Sequence, residues 1–220
     1  MTGRPEGHFL RVLRDLSLEL SQLGEILRDP GARRYHAVRV ALAAHPRTPR
    51  REALSLVGTL YWRGLARLSA DPRVHAEVRR AAERDLARRL PEMALAERID
   101  LARTVGRGTL LTLRLDPDAR VLAALLDNRF TTEPDVVQAA AHAGSGGSGL
   151  EVIAGHPRWC LRPAVRSALL RNPRLPAPAA LALLSRASLE DLEGLRLSPV
   201  TLPLLRACAE RVLAHRSGED

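Results

Sequence analysis

The sequence predicts an all-α protein, a right-handed α-solenoid of about five helical repeats. Five prolines recur at a nearly constant stride, at positions 30, 72, 117, 157 and 199. A stride of about 40 to 47 residues with an apolar helical pattern after each mark is typical of stacked helical repeats. Hydrophobic residues make up 45% of the chain and aromatic residues only 3%. Leucine and alanine therefore supply most of the core, as expected for closely packed helices.

The first predicted element is an amphipathic helix over residues 8–28, acting as an N-terminal cap. Its leucines recur at steps of three and four, at Leu10, Leu13, Leu16 or Leu20, Leu23 and Leu27. Side chains at these steps lie on one face of a helix.

Each of the five prolines follows a small or polar residue, as in Asp29-Pro30 and Ser198-Pro199. Such a pair predicts the N-cap and first position of a new helix, because proline has no N–H to lose there and the cap oxygen accepts an orphan donor. We expect one domain over residues 1–220. The prolines divide it into an N-terminal cap, four repeats and a C-terminal cap, at 1–29, 30–71, 72–116, 117–156, 157–198 and 199–220.

The later elements of each repeat follow a turn rich in proline and arginine. Two such turns are 45–49, with the sequence HPRTP, and 172–176, with the sequence NPRLP, and 128–131 is a reduced version. Second helices are predicted near 50–59, 132–142 and 176–185, and shorter third helices near 61–69, 108–114, 149–154 and 188–196. Capping-box patterns at 132–135 and 188–191 support two of these helix starts.

The run from Gly144 to Gly149 contains only glycine and serine. Such a composition predicts a flexible loop between the second and third helices of the repeat 117–156. Gly144, Gly146 and Gly149 also match the GxGxxG pattern. They follow a helical run rather than a strand, so the pattern does not predict a dinucleotide site.

A Val-Arg pair or its equivalent lies six to eight residues after most of the prolines, as Val38-Arg39, Val78-Arg79, Val165-Arg166 and the weaker Leu205-Arg206. Together with Asp71-Pro72, the run 65–82 resembles the HEAT-repeat consensus. The Asn-Pro turn resembles the leucine-rich-repeat variant, a HEAT relative, in a layout seen in bacterial proteins. The resemblance covers nearly the whole chain and implies a fold far more than an activity. It also implies that Arg39, Arg79 and Arg166 bridge neighbouring repeats.

All 34 basic residues are arginine, and the net charge is +9. The absence of lysine excludes Schiff-base chemistry and a P-loop lysine. A GC-rich coding sequence is one explanation of the arginine content. The other is an acidic partner, because arginine binds carboxylates and phosphates in a bidentate manner.

Cys160 and Cys208 lie 48 residues apart without a CxxC pattern, which predicts buried, reduced thiols and a cytoplasmic setting. The N-terminus lacks the apolar region of a signal peptide, and no stretch approaches the ~20 apolar residues of a membrane span. We therefore expect a cytoplasmic protein that does not associate with membranes.

The chemical motifs do not predict an enzyme. The seven histidines do not pair at metal-ligand spacing, and a GxSxG nucleophile motif is absent. We expect no catalytic residues, no metal and no cofactor. One HEAT-like family, the alkylpurine DNA glycosylases, pairs tryptophans with an aspartate in a basic groove, but no aspartate here matches its motif.

Two long stretches contain arginines and no acidic residue, between Asp29 and Glu52 and between Glu151 and Glu190. Stacked repeats would align Arg47, Arg129 and Arg174 along one edge. From these stretches and turns we expect a partner-binding set with an anchor at its centre, Trp159. The arginines of the set are Arg33, Arg34, Arg47, Arg50, Arg51, Arg129, Arg158, Arg162 and Arg174.

Two structural explanations compete with partner binding. The turn arginines lie near helix C-termini, where a cation stabilises exposed carbonyls by about 0.3 to 1 kcal/mol. Trp62 and Trp159 can fill gaps between repeats, as large aromatic residues usually do. The predicted function is a non-catalytic scaffold that binds an acidic protein partner through an arginine-rich edge. The alternative is a nucleic-acid-binding module or a relative of the HEAT-like glycosylases.

Overall fold

Helices form all of the regular structure in the described part of the chain. The structure, a computed structural model, describes residues 5–142, 146–199 and 201–217. Within these ranges it contains sixteen α-helices, one 3-10 helix at Leu90–Glu92 and no β-strand, which confirms the all-α prediction. The chain divides into two compact units, unit 1 over residues 1–110 and unit 2 over residues 111–220.

Unit 1 contains α1 Glu6–Val12, α2 Leu20–Arg28, α3 Pro30–Arg33, α4 His36–Ala44, α5 Arg50–Val57, α6 Trp62–Ala70, α7 Ala76–Arg89 and α8 Leu95–Thr104. The boundary between the units falls within α9, Arg107–Leu113. Unit 2 contains α10 Ala119–Leu126, α11 Glu133–Ala141, α12 Gly147–Gly155, α13 Pro163–Arg171, α14 Ala177–Leu184, α15 Leu189–Leu197 and α16 Pro203–Ser217. The predicted second and third helices of the repeats are confirmed, most to within two residues at each end.

From α4 to α8 in unit 1 and from α10 to α16 in unit 2, each helix packs against the helix two positions later, so that the helices form two rows. In unit 1, α4 contacts α6, α6 contacts α8, and α5 contacts α7. In unit 2, α10, α12, α14 and α16 form one row of contacts, and α11, α13 and α15 form the other. The helices α10, α12 and α14 begin at residues 119, 147 and 177, so the packing stride is about 30 residues.

The five prolines mark a different interval. Pro30 begins the one-turn α3 that leads into α4, and the other four precede α7, α10, α13 and α16. Apart from α3, the prolines therefore mark every third helix. Packing repeats every second helix, so successive prolines precede helices of alternate rows. In unit 2, α10 and α16 belong to one row and α13 to the other.

The prolines open turns rather than helices at most of these positions. Only Pro30 begins a helix, the one-turn α3, where Asp29 Oδ1 accepts the N–H of Gly31 at 2.7 Å. After Pro72, α7 starts at Ala76, and the helices that follow the other three prolines also start later. The N-cap prediction is therefore wrong at four of the five positions, because the residue before the proline bonds within a turn.

The predicted helix over 8–28 is two helices, α1 and α2, separated by residues 13–19. Asp15 Oδ1 accepts the backbone N–H of Ser17 at 2.9 Å and its hydroxyl at 2.6 Å. Short polar side chains that bond to nearby backbone compete with the helix in this way. The break lets Leu13 and Leu18 both enter the core, where each is 5% exposed.

The predicted glycine loop is partly helical. Residues 144 and 145 lie outside the described residues, whereas Gly147–Gly149 form the first turn of α12. Gly149 is buried, and a Cβ atom there would lie 3.4 Å from the side chain of Leu122 on α10. The lack of a side chain allows the close packing of α12 on α10, so at these three positions the loop prediction is wrong.

Two predicted capping boxes are confirmed in unit 2. Asp135 Oδ2 accepts the backbone N–H of Thr132 at 2.9 Å. Ser188 Oγ accepts the backbone N–H of Asp191 at 3.1 Å, and Asp191 Oδ2 accepts that of Ser188 at 3.4 Å. These bonds satisfy orphan donors at the starts of α11 and α15.

Candidate partner-binding surfaces

One tight turn recurs after several helices and positions the predicted turn arginines. Its first residue accepts the N–H of the third: His45 Nδ1 from Arg47 at 3.3 Å, and Asn172 Oδ1 from Arg174 at 3.0 Å. The carbonyl of the first residue accepts the N–H of the fourth, which is buried. Proline fits the second position because its fixed φ favours a turn there. We call this the Pro-Arg turn.

The same turn forms at two of the marker prolines. Asp71 Oδ1 accepts the N–H of Arg73 at 3.0 Å. His156 Nδ1 accepts the N–H of Arg158 at 3.2 Å. The pattern of His, Asp or Asn followed by Pro-Arg thus marks one structural device at four places, and its arginine is exposed each time. Arg73 is equivalent to the predicted turn arginines, and this pattern was the signal that would have identified it.

The first residue of the turn also bonds to an earlier part of the chain. Because His45 Nδ1 accepts a hydrogen bond, the neutral ring carries its proton on Nε2, which lies 3.0 Å from the carbonyl oxygen of Asp15. Asn172 Nδ2 donates to the carbonyl of Ala140 at 2.7 Å. His45 and Asn172 are 5% and 6% exposed. In these two turns the arginine therefore follows a buried residue that is hydrogen-bonded to an earlier part of the chain.

The three predicted arginines near the start of α5 differ in their contacts. Arg47 Nη1 donates to the backbone carbonyls of residues 17–18 at 2.7 and 3.1 Å. Arg50 forms a 3.0 Å ion pair with Glu77. Arg51 is exposed and has no ion pair within the described ranges. Arg47 is thus held by backbone, Arg50 is partly neutralised and Arg51 is available to a partner.

Arg33 is the last residue of α3 and Arg34 follows it, and both are exposed. Arg34 Nη2 donates to the Tyr35 hydroxyl at 2.5 Å, and its guanidinium lies 4.7 Å from the centre of the Tyr35 ring. Neither arginine contacts a carboxylate of the described residues. Their positive charge therefore faces solvent.

In unit 2, Arg129, Arg158 and Arg162 lie at one end of the helices. The connections that carry them are neighbours, because His156 Nε2 is 3.3 Å from Asp127 Oδ1. Arg162 lies 3.9 Å from a Glu133 carboxylate oxygen. Arg129 and Arg158 are exposed and lie over the rings of their own neighbours in sequence, at 4.5 and 4.2 Å.

Arg174 lies at the opposite end of unit 2. Its turn contacts the end of α11, where Asn172 bonds to Ala140, whereas the turn of Arg158 contacts the end of α10. The nine residues of α13 separate the two ends by about 14 Å. Within unit 2, the expected alignment of Arg129 and Arg174 along one edge is therefore wrong, because the turns follow helices of different rows.

Trp159 is a core residue. Its side chain is 1% exposed, and the indole Nε1 donates to the Leu126 carbonyl at 2.9 Å. The ring therefore fills a gap beneath the turn, and the expectation that it anchors a partner at the surface is wrong. Trp62 is half-buried and donates to Glu97 Oε1 at 3.0 Å.

The Val-Arg arginines close the connection that precedes their own helix. Arg39 donates to Arg33 O, Arg79 to Pro72 O and Arg166 to Leu161 O, each at 2.8 Å, and Arg206 donates to Ser198 O at 3.0 Å. All four side chains are half-buried. These bonds are local and do not join neighbouring repeats, and Arg39 also donates to Thr59 O, between α5 and α6, at 3.4 Å. Part of the bonding capacity of each guanidinium is therefore used by backbone carbonyls of the chain itself.

Unit 1 contains a groove that sequence reasoning missed. It lies between α1, α4, α6 and the Pro-Arg turns that follow α4 and α6, and has a volume of about 560 Å³. It is lined by Ala37, Ala41 and Ala44 of α4, which we call its floor, and by Leu10 and Leu16, which we call its sides. Leu16 is 52% exposed. The groove therefore presents apolar surface to solvent.

Three arginines and one aspartate also line this groove. Arg73 makes two side-chain bonds to Asp71, at 3.0 and 2.8 Å, and the Arg73 hydrogen bond lowers the pKa of Asp71. This pair is neutral as a whole. Arg14 and Arg67 are exposed and form no ion pair with a described carboxylate, and Arg67 contributes only a weaker charge effect that lowers the pKa of Asp71. Three arginines and one aspartate therefore give the groove a net positive charge.

The described residues offer little for redox or metal chemistry. In the ranges that the structure describes, no three His, Cys, Asp or Glu side chains converge as metal ligands would. Cys160 and Cys208 are free thiols and are half-buried rather than fully buried as expected. None of the described helices is both long enough and apolar enough to cross a bilayer.

No family model, curated protein or solved structure matches this chain.

Proposed function

We propose that this protein is a non-catalytic helical-repeat protein, an α-solenoid similar to HEAT repeats, that binds an acidic protein partner. The packing of every second helix against the next supports a repeat architecture, since each repeat of such an array contacts mainly its neighbours. The net charge of +9 favours an acidic partner.

The main support for this proposal is that most of the predicted arginines form no ion pair within the protein. Seven of the nine are exposed and contact no carboxylate of the described residues. One of the seven, Arg47, is held by backbone carbonyls, which leaves six. An exposed guanidinium can form bidentate bonds with a carboxylate, which gives arginine its weight at interfaces. We place the partner contacts at Arg33, Arg34, Arg51, Arg129, Arg158 and Arg174.

The aromatic residues favour a protein over a nucleic acid as the partner. Single-stranded nucleic acids bind largely by stacking bases on exposed aromatic rings. Four of the six aromatic rings lie under arginines of this chain, and Phe9 is 1% exposed. Tyr61 alone is highly exposed, at 67%. One ring provides little stacking for a base.

The experiment that tests this function uses two charge variants of the full chain. In one, Arg33, Arg34 and Arg51 become Gln. In the other, Arg129, Arg158 and Arg174 become Gln. Each is immobilised, and proteins retained from a lysate of the native source are quantified by mass spectrometry. We expect an acidic protein that elutes with salt and is retained several-fold less by at least one variant.

A matched control replaces Arg11, Arg84 and Arg186, which are also exposed. Equal loss of the retained protein from this control would show a non-specific charge effect and contradict the proposal. A gel shift with random duplex and single-stranded DNA at low salt tests the alternative. Binding that falls steeply with salt, without a retained protein, would favour the nucleic-acid function instead.

A further inference from the structure

We propose that the groove of unit 1 binds a short acidic amphipathic helix that belongs to the protein partner. Its apolar side chains would lie on α4 and against the leucines, and its carboxylates would pair with Arg14 and Arg67. This inference rests on the proposed function and adds to it a site outside the nine predicted arginines.

The floor of the groove suits a helix. Ala37, Ala41 and Ala44 occupy positions i, i+4 and i+7 of α4 and therefore share one face. Small side chains along a face let another helix approach closely, and a groove that takes an amphipathic helix contacts it at such steps. From Ala37 to Ala44 the floor extends about 10 Å, or two helical turns.

The sides of the groove provide apolar contacts. Leu10 is half-buried, and Leu16 is 52% exposed in the break between α1 and α2. Beneath them, Leu13, Leu68 and Val74 are buried and support the surface. The volume of about 560 Å³ lies within the range of about 300 to 1,000 Å³ found for ligand sites. The groove thus accepts a few leucine-sized side chains.

The positive charge of the groove favours a partner segment of negative charge. Asp71 is held by Arg73, so its negative charge is already compensated inside the protein. His45, which also lines the groove, directs its ring nitrogens to backbone groups. Arg14 and Arg67 remain as two exposed cations that form no ion pair with a described carboxylate, although the charge of Arg67 acts weakly on Asp71. Complementary charge favours encounter with an acidic segment and disfavours a basic one.

The test uses the full chain and a synthetic probe. The probe is a fluorescein-labelled peptide of about four helical turns, with leucines at i, i+3, i+4 and i+7 and glutamates on both flanks of the leucine face. Fluorescence anisotropy measures its binding. We expect saturable binding at micromolar concentrations, at least tenfold weaker for a peptide of the same composition with dispersed leucines, and weaker still with lysine in place of glutamate.

Two variants separate the groove from the rest of the surface. R14E/R67E reverses the two exposed cations, and we expect the dissociation constant to rise at least tenfold. The matched control R84E/R186E makes the same change in net charge at two exposed arginines that do not line the groove, and we expect less than a threefold effect. A41F fills the floor and should also weaken binding at least tenfold. Circular dichroism shows whether each variant is folded.

Three outcomes would overturn the proposal. The first is the absence of saturable binding by the wild type at about 100 μM peptide, which corresponds to a binding free energy weaker than about −5.5 kcal/mol. The second is an equal effect of the two double variants on the dissociation constant. The third is equal binding of the probe and the dispersed-leucine peptide. Concentration-dependent dimerisation that R14E/R67E abolishes would assign the groove to a second copy of the chain, which also overturns it. If the peptide fails while the exposed-arginine variants still lose a lysate protein, only the groove assignment fails.

Discussion

The indole Nε1 of Trp159 donates a 2.9 Å hydrogen bond to the backbone carbonyl of Leu126, 33 residues earlier in the chain. The bond joins the Pro-Arg turn after α12 to the end of α10. Both groups are buried, so neither has water as a substitute partner. One of the two tryptophans of the sequence therefore holds the ends of two helices of one row together.

Replacing Trp159 with Phe should destabilise the protein without affecting partner binding. The variant leaves the Leu126 carbonyl without its donor, and an unsatisfied buried group costs about 1 to 3 kcal/mol. Urea denaturation followed by circular dichroism measures the loss. W62F is the matched control, and we expect a smaller loss because Trp62 is half-buried. An unchanged stability of W159F would contradict the role in the core.

Replacing Arg79 with Ala should lower stability by about 1 kcal/mol, since a hydrogen bond of this kind contributes about 0.5 to 1.5 kcal/mol net. Arg79 Nη1 donates to the Pro72 carbonyl and so holds the turn before α7. Arg84 lies exposed on the same helix, and R84A is the control with no expected change. Thermal denaturation compares the two. Similar melting temperatures for both variants would count against a structural role for the Val-Arg arginines.

The turn arginines should separate into two classes. R47A should destabilise unit 1 by about 1 kcal/mol, because Arg47 donates to two backbone carbonyls of residues 17–18. R129A/R174A should change stability by less than about 0.5 kcal/mol, as surface substitutions usually do, and should weaken partner binding. Urea midpoints and the capture experiment provide the two measurements. A large loss of stability in the double variant would identify both arginines as structural.

The pH dependence of stability should include a contribution from His36. Desolvation, with the charge of Arg39 as a second cause, lowers the pKa of His36 below 6.5. His36 Nε2 accepts the N–H of Tyr61 at 3.0 Å, which requires an unprotonated nitrogen. The unfolded chain therefore binds the proton first as the pH falls, so stability is complete above pH 6.5 and decreases below it.

The variant H36Q keeps an acceptor and removes this titration. We expect the unfolding free energy of H36Q to fall less than that of the wild type between pH 7.5 and pH 5. Urea denaturation at several pH values gives both slopes. Equal slopes of unfolding free energy against pH for H36Q and the wild type would show that protonation of His36 does not contribute to the pH dependence.

Asn172 provides a second pH-dependent comparison. N172A leaves the buried Ala140 carbonyl without a donor, at a cost of about 1 to 3 kcal/mol. N172D should cost more at pH 7.5, because it places a carboxylate beside that carbonyl. Protonation supplies a donor again, so N172D should recover relative to N172A at pH 4.5. Thermal denaturation of both variants at the two pH values measures this. A difference in melting temperature between N172D and N172A that is the same at both pH values would contradict the prediction.

The helices were predictable because their signals are local. The capping boxes that begin α11 and α15 rest on Asp135 and Asp191, and each is encoded within four residues. The break at Asp15 was not predictable from leucine spacing, since the spacing continues across it. The rows of helices were not predictable either, because the prolines mark every third helix while packing follows every second.

The groove could not be predicted from sequence because its charges come from three separate segments. Arg14 follows α1, Arg67 lies in the last turn of α6, and Arg73 lies in the turn after α6. No local pattern connects Arg14 to the other two. The acid-free stretches pointed instead to arginines such as Arg47, part of whose bonding capacity is used by the protein itself.

Three side-chain bonds reach about 30 residues back along the chain, from His45 to Asp15, from His156 to Asp127 and from Asn172 to Ala140. In unit 2 they join the ends of successive helices of one row, α12 to α10 and α13 to α11. Each such bond therefore stabilises the contact between two particular helices, so its loss acts first on local stability.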